Sequence, residues 1–301
     1  MTRIRAAWLL PLELWHGLHY ALPRHPLWAF DAFKPPATPA PESIPTWRLA
    51  LIYLVVTIIS GVAIVSWGLA GFPPETALLV GSTLAGAVFA RIIAVNIAHI
   101  APLFDLLTLT PPGKAGAFWV LSARYLRTDE RIGQAKQIID TLHAGAALII
   151  IPLMVINFLV MLSPTVQRFT TNESVLVLTI NMGFWLILLR LDYLYAGVLA
   201  ACAGMAAPTL THTRLETGLV ALALFLLGQV SAYAAILLAG RLLIALEWAV
   251  LLQTVWWLES VVWLMVFIGV RAALMLGVFW SLAARLDTRP RALRHLIRAS
   301  L

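Results

Sequence analysis

Residues 215–239 read LETGLVALALFLLGQVSAYAAILLA, and apart from Glu216 at the start they carry no charge. A helix rises about 1.5 Å per residue, so ~20 apolar residues cover the ~30 Å of hydrocarbon in a bilayer. The stretch is long enough to cross. Five more runs of this kind lie along the chain, at 49–70, 77–101, 141–162, 175–206 and about 260–284. The fold class expected is all-α: a polytopic membrane protein of about six transmembrane helices.

Composition agrees. Of 301 residues, 61% are hydrophobic and 12% charged, and mean hydropathy is +0.90. A soluble domain of this length has too little interior to hide so much apolar surface, so lipid is the expected solvent for part of it. The net charge is +7 and the sequence pI about 10.1. The basic residues stand between the apolar runs, which suits membrane orientation and not a nucleic-acid face. The single cysteine, Cys202, lies inside an apolar run, so no disulfide forms within the chain.

Charge placement sets the expected threading. With an inside N-terminus and six spans, the inner segments hold sixteen Lys and Arg: Arg3, Arg5, Arg24, Lys34 and Arg48; Lys114, Arg124, Arg127, Arg131 and Lys136; Arg214; and Arg285, Arg289, Arg291, Arg294 and Arg298. The outer loops hold two, Arg168 and Arg241. This is the positive-inside bias, and it puts both termini in the cytoplasm of a multi-pass protein of the cell (inner) membrane. A further apolar stretch, 242–258, contains Glu247 and Gln253. Counted as a span it would carry the five-Arg tail outside, so it is expected as a re-entrant or interfacial helix on the outer face.

Three regions follow. Residues 1–47 form an interfacial helix and a Pro-rich linker, KPPATPAPESIPT at 34–46. Arg3 and Arg5 imitate a signal peptide, but Glu13, His16 and His19 interrupt the apolar stretch, so it is expected to be retained. Residues 48–285 form the six-span domain, with a cytoplasmic loop at 102–140. Residues 286–301 form a basic amphipathic cytoplasmic tail, with Arg291, Arg294 and Arg298 on one face and Leu293, Leu296, Ile297 and Leu301 on another.

Arg91, Arg190, Asp192 and Arg271 fall within spans. A charge in hydrocarbon costs several kcal/mol, so such residues face the bundle interior or water. Residues two apart on a helix point to different faces, so Asp192 cannot neutralise Arg190 within its own helix. It is expected to reach Arg91 if spans two and four are neighbours. These groups either line a path or form structural pairs and snorkelling contacts. Asn96, Asn157, Asn181 and Gln229 add polar groups. The small residues of GSTLAGAVFA (81–90) and AGVLAACAG (196–204) suit span packing and a homodimer face equally.

The loop contains FDLLTLTPPGKAG at 104–116, with a Pro111-Pro112-Gly113 turn and then a helix bearing Arg124, Arg127 and Arg131. Asp105, Leu106, Leu107, Thr110 and Pro111 resemble the segment after the second span in permeases of the type-2 class of ABC exporters. The order of interfacial helix, six spans, large second loop and outer re-entrant segment is similar to that class too. Two features depart from it: AHIAPLF replaces a charged stretch, and Pro112 a small polar residue. The resemblance implies a permease half that pairs with a second permease subunit, the same chain or another. It also implies a separate ATP-binding subunit docked on Asp105, Leu107, Thr110, Pro111, Pro112, Gly113, Lys114, Arg124 and Arg127.

Gly113-Lys114 is not a phosphate loop, because no upstream Gly stands at the required spacing and Ala115 follows. ATP hydrolysis is therefore expected in trans, with no catalytic residue, metal or cofactor in this chain. The alternative class is a non-catalytic membrane scaffold or assembly subunit. A haem or quinone subunit is a third: His16 and His19 sit in the N-terminal segment and His99 and His143 near the inner ends of spans two and three, none of them mid-span.

Overall fold

The computed structural model describes residues 11–18, 75–100, 113–162, 172–211, 213–245 and 256–286. All the regular structure among them is helical. In chain order the helices are α1 (11–18), α2 (Glu75–His99), α3 (Gly113–Thr128), α4 (Glu130–Leu162), α5 (Asn172–Ala206), α6 (Arg214–Ala245) and α7 (Trp256–Arg285).

Four of them, α2, α5, α6 and α7, are long and apolar enough to cross a bilayer. The protein is an all-α, polytopic membrane protein. The third expected run, 141–162, is the distal part of α4, which continues through Pro152. The first run, 49–70, and the tail, 287–301, lie outside the described residues, and so does most of the 242–258 segment. The ends of that segment belong to its neighbours: α6 runs on to Ala245 and α7 starts at Trp256.

The surface is inverted relative to a soluble protein. On α6, Leu219, Leu227, Val230, Leu237 and Leu238 are all more than half exposed, whereas Thr217, Ala221, Phe225, Gln229 and Ala232 are buried. Water does not tolerate such a leucine face over the length of a helix; lipid does. Helix contact inside lipid comes from close packing, and small residues permit it. Helix α5 is the hub. From Tyr195 to Met205 every residue is buried, and α5 touches α2, α3, α4, α6 and α7. Its most extensive partner is α2. There Gly204 lies against Ile93 and the Ala90 carbonyl, while Gly86 of α2 lies against Phe225 of α6. The small-residue runs are thus span-packing faces inside one chain.

The α3–α4 and α5–α6 connections are short and capped. Asp129, between α3 and α4, accepts from the amides of Arg131 (3.0 Å) and Ile132 (3.3 Å), satisfying orphan donors at the start of α4. Pro208 in a short 3-10 turn follows α5. Thr213 and Glu216 then form a reciprocal capping box: the Glu216 amide donates to Thr213 Oγ1 (3.3 Å) and the Thr213 amide to Glu216 Oε2 (3.4 Å).

Helix α3 belongs to the core. Residues 115–126 are all buried, with Phe118, Trp119, Leu121 and Tyr125 against α2, α4 and α5. Burial raises the Tyr125 phenol pKa to about 12. Lys136 of α4 reaches back to the Leu126 carbonyl at 2.7 Å, capping the end of α3. Burial first, and then Arg127, lowers its pKa from the ordinary 10.5 to about 8, against the pull of Asp140. Of the chain's three lysines, 34, 114 and 136, one is therefore expected to titrate near pH 8 in a carbon-13 NMR spectrum of dimethylated protein. That signal should vanish in Lys136→Arg. The folded form releases this proton more readily than the unfolded one, so the contribution of Lys136 to stability rises with pH between about 8 and 10.5. Three signals all titrating above pH 10 would contradict the buried cap.

Candidate functional site

The polar groups of four helices converge at one point inside the bundle. Asp192 comes from α5, Gln229 and Tyr233 from α6, Arg271 from α7, and Ser82 and Thr83 from α2. Gln229 and Arg271 lie about midway along their helices. The side chains of Asp192 and Arg271 are 0% and 1% exposed and form an ion pair through Arg271 Nη2 and Asp192 Oδ1. Arg271 Nη1 donates to Gln229 Oε1 at 2.6 Å. Gln229 Nε2 donates to the Tyr233 hydroxyl at 2.9 Å and to Thr83 Oγ1 at 3.3 Å. Tyr233 donates to the Asp192 carboxylate, 3.0 and 3.1 Å from its two oxygens. The bonds close a ring from guanidinium to amide to phenol to carboxylate and back.

Electrostatics explain the parts. A charge removed from water needs a partner and further hydrogen bonds to offset the lost hydration. The carboxylate receives a guanidinium and a phenol. The guanidinium also lies over the Tyr233 ring, 4.6 Å from its centroid, and near the Phe267 ring at 5.4 Å, so its faces meet π-electrons. Arg271 Nε has no hydrogen-bond partner among the described residues, leaving one donor of the cluster unused.

The expected pairing of Asp192 with Arg91 is corrected here. Spans two and four are neighbours, but Asp192 turns toward α6 and α7 and takes Arg271. Arg91 is exposed, and its stem runs beside Gly218 of α6. Arg190, two residues before Asp192, points to the opposite side of α5 and pairs with Asp140 of α4 at 3.0 Å. Gln229 stood out in the sequence; Tyr233, Thr83 and Asp140 did not. Tyr233 is four residues after Gln229 and so on its face, a signal that could have found it. Nothing local marks Thr83 or Asp140.

On the loop, Arg124 is buried and Arg127 exposed. Gly113 and Lys114 open α3, while Asp105, Leu107, Thr110, Pro111 and Pro112 lie outside the described residues. His143 packs on the Tyr193 ring, with centroids 5.7 Å apart, and His99 contacts Arg214, so these two histidines do not face each other. Trp15 of α1 packs edge-on against Tyr193 at 5.6 Å, which attaches the N-terminal helix to α5. No protein-family model matches the chain, and no curated protein or solved structure shows significant similarity to it.

Proposed function

We propose that this chain is a transport subunit: the permease half of an ATP-driven exporter, paired with a second permease half and driven by a separate ATPase. The observation that carries this reading is the buried Asp192–Arg271–Gln229–Tyr233 ring. A bundle held together for its own sake has the glycine and alanine contacts of α2 and α5, which need no charge. A buried ion pair adds little net stability over apolar packing. It does join three helices through bonds that can be exchanged for other partners, which suits a bundle with two arrangements.

The drive would enter through the segment before α3. Because α3 is embedded against α2, α4 and α5, a push on residues 105–114 passes into three helices instead of being lost in a slack loop. The positive-inside bias of the basic loop and tail supports a cytoplasmic position for that segment, where ATP is. Arg127 and Arg131, both exposed at the α3–α4 corner, offer cationic contacts to the ATPase, and the buried Arg124 holds α3 in place.

The chain purified from its native membrane in nanodiscs is expected to bring down an ATP-binding subunit and to show ATPase activity. Pro111→Ala combined with Pro112→Ala should leave insertion and that association intact while lowering transport-coupled ATPase activity at least tenfold. Recovery of other membrane subunits without any ATPase would favour a scaffold instead.

A further inference from the structure

On the outer side of α5, away from the buried ring, lies a groove between α4 and α5 lined by Asp140, His143, Ala144, Ala147, Leu189 and Arg190. Its two charges are 3.0 Å apart and open: the Arg190 side chain is 62% exposed and that of Asp140 57%. The geometry points to a binding site for the headgroup of a zwitterionic membrane phospholipid, one carrying both a phosphate and an ammonium.

The surface of α4 changes character at this groove. Before it, Glu130, Arg131 and Gln137 are exposed; beyond it, Ile151, Val155, Ile156, Phe158 and Leu159 are. Along α4 the exposed residues thus pass from charged and polar to apolar beyond Asp140. Spacings of three and four put Asp140, Ala144, Ala147, Ile151, Val155 and Phe158 on one helical face. A single line thus runs from a charged end into an apolar strip. From Ala144 to Phe158 it measures ~21 Å at the helical rise, more than the ~15 Å depth of one leaflet's hydrocarbon. That is the outline of an amphiphile.

The charges select its head. An exposed ion pair is worth little by itself, so its members are easily given to other partners. Arg190 offers a planar fork for a phosphate, and Asp140 accepts from an ammonium. Tyr193 holds the guanidinium from behind, 5.7 Å from the ring centroid. The His143 ring, in the groove wall, packs on Tyr193 with centroids 5.7 Å apart, which fixes that wall beside the ion pair. A purely anionic head would leave Asp140 facing a like charge, and an uncharged head would use neither group.

The test is native mass spectrometry of the full chain released from detergent after exchange with phosphatidylethanolamine, phosphatidylglycerol or diacylglycerol in turn. It needs no ATPase, so its outcome is separate from that of the exporter reading. The wild-type chain is expected to retain phosphatidylethanolamine about tenfold more than either other lipid, the effect of one charge-assisted contact. Asp140→Asn should abolish the preference over phosphatidylglycerol, and Arg190→Gln should lower retention of both phospholipids, with Arg190→Lys partly restoring it. Equal retention of all three lipids by the wild-type chain overturns the site, as does unchanged selectivity in well-folded Asp140→Asn. A groove covered by a second copy of the chain would retain none of them, which overturns it too.

Discussion

Asp192→Ala is expected to cost about 3–5 kcal/mol of stability, enough to leave much of the protein unfolded or degraded in the membrane. Arg271 is 1% exposed, and without the carboxylate its charge would keep only the Gln229 carbonyl and two ring faces. Tyr233 would lose its acceptor as well. Arg271→Met strands the opposite charge and should cost a similar amount. Asp192→Leu combined with Arg271→Met replaces the pair by apolar groups and should recover most of the loss, because the penalty lies in the uncompensated charge and not in the absence of the bond. The thermal midpoint in nanodiscs, followed by tryptophan fluorescence, reads all three. Two single effects that simply add in the double variant would mean the groups do not act as a pair. A stable double variant that no longer transports would separate the role of the ring in function from its role in holding the fold.

Gly204→Leu should be the next most damaging change. Even a Cβ at this position would stand 2.7 Å from Ile93 Cγ2 and 3.1 Å from the Ala90 carbonyl oxygen. Turning Ile93 would move its Cγ2 but not its Cβ, at 2.9 Å, and neither that atom nor the backbone oxygen can leave without moving α2. Overpacking of this kind costs about 1–3 kcal/mol, and a leucine needs far more room than a methyl, so the upper end is expected. Gly277 of α7 is the control. A Cβ there meets nothing within 4 Å, so Gly277→Ala should stabilise the protein through helix propensity by up to about 1 kcal/mol and raise its thermal midpoint. Similar effects at the two glycines would show that α2 and α5 are not in the close contact described.

Both experiments probe what the residue string left open. Polar residues at 192, 229 and 271 could be seen inside apolar runs, and the two-residue offset of Arg190 and Asp192 correctly put them on different faces. Their partners could not be seen. Asp192 had a candidate in Arg91, on the most closely packed neighbour of α5, yet the bond goes to a residue 79 positions away on α7. Arg190 finds Asp140, 50 positions away. The glycine and alanine runs at 81–90 and 196–204 gave no hint whether they met each other or a second chain. Helix α3, basic and next to a proline turn, reads as a surface loop helix and is instead enclosed.

Length, apolar runs and the placement of arginines by themselves determined that this is a helical membrane protein. Those are local properties: hydropathy, charge and capping belong to a residue and its near neighbours. Tertiary structure alone decided which faces meet, which charges pair and that α3 is inside. A helix apolar around its whole circumference has no stripe to announce its rotation, so the order and turn of the helices emerge only when all of them compete for the same contacts.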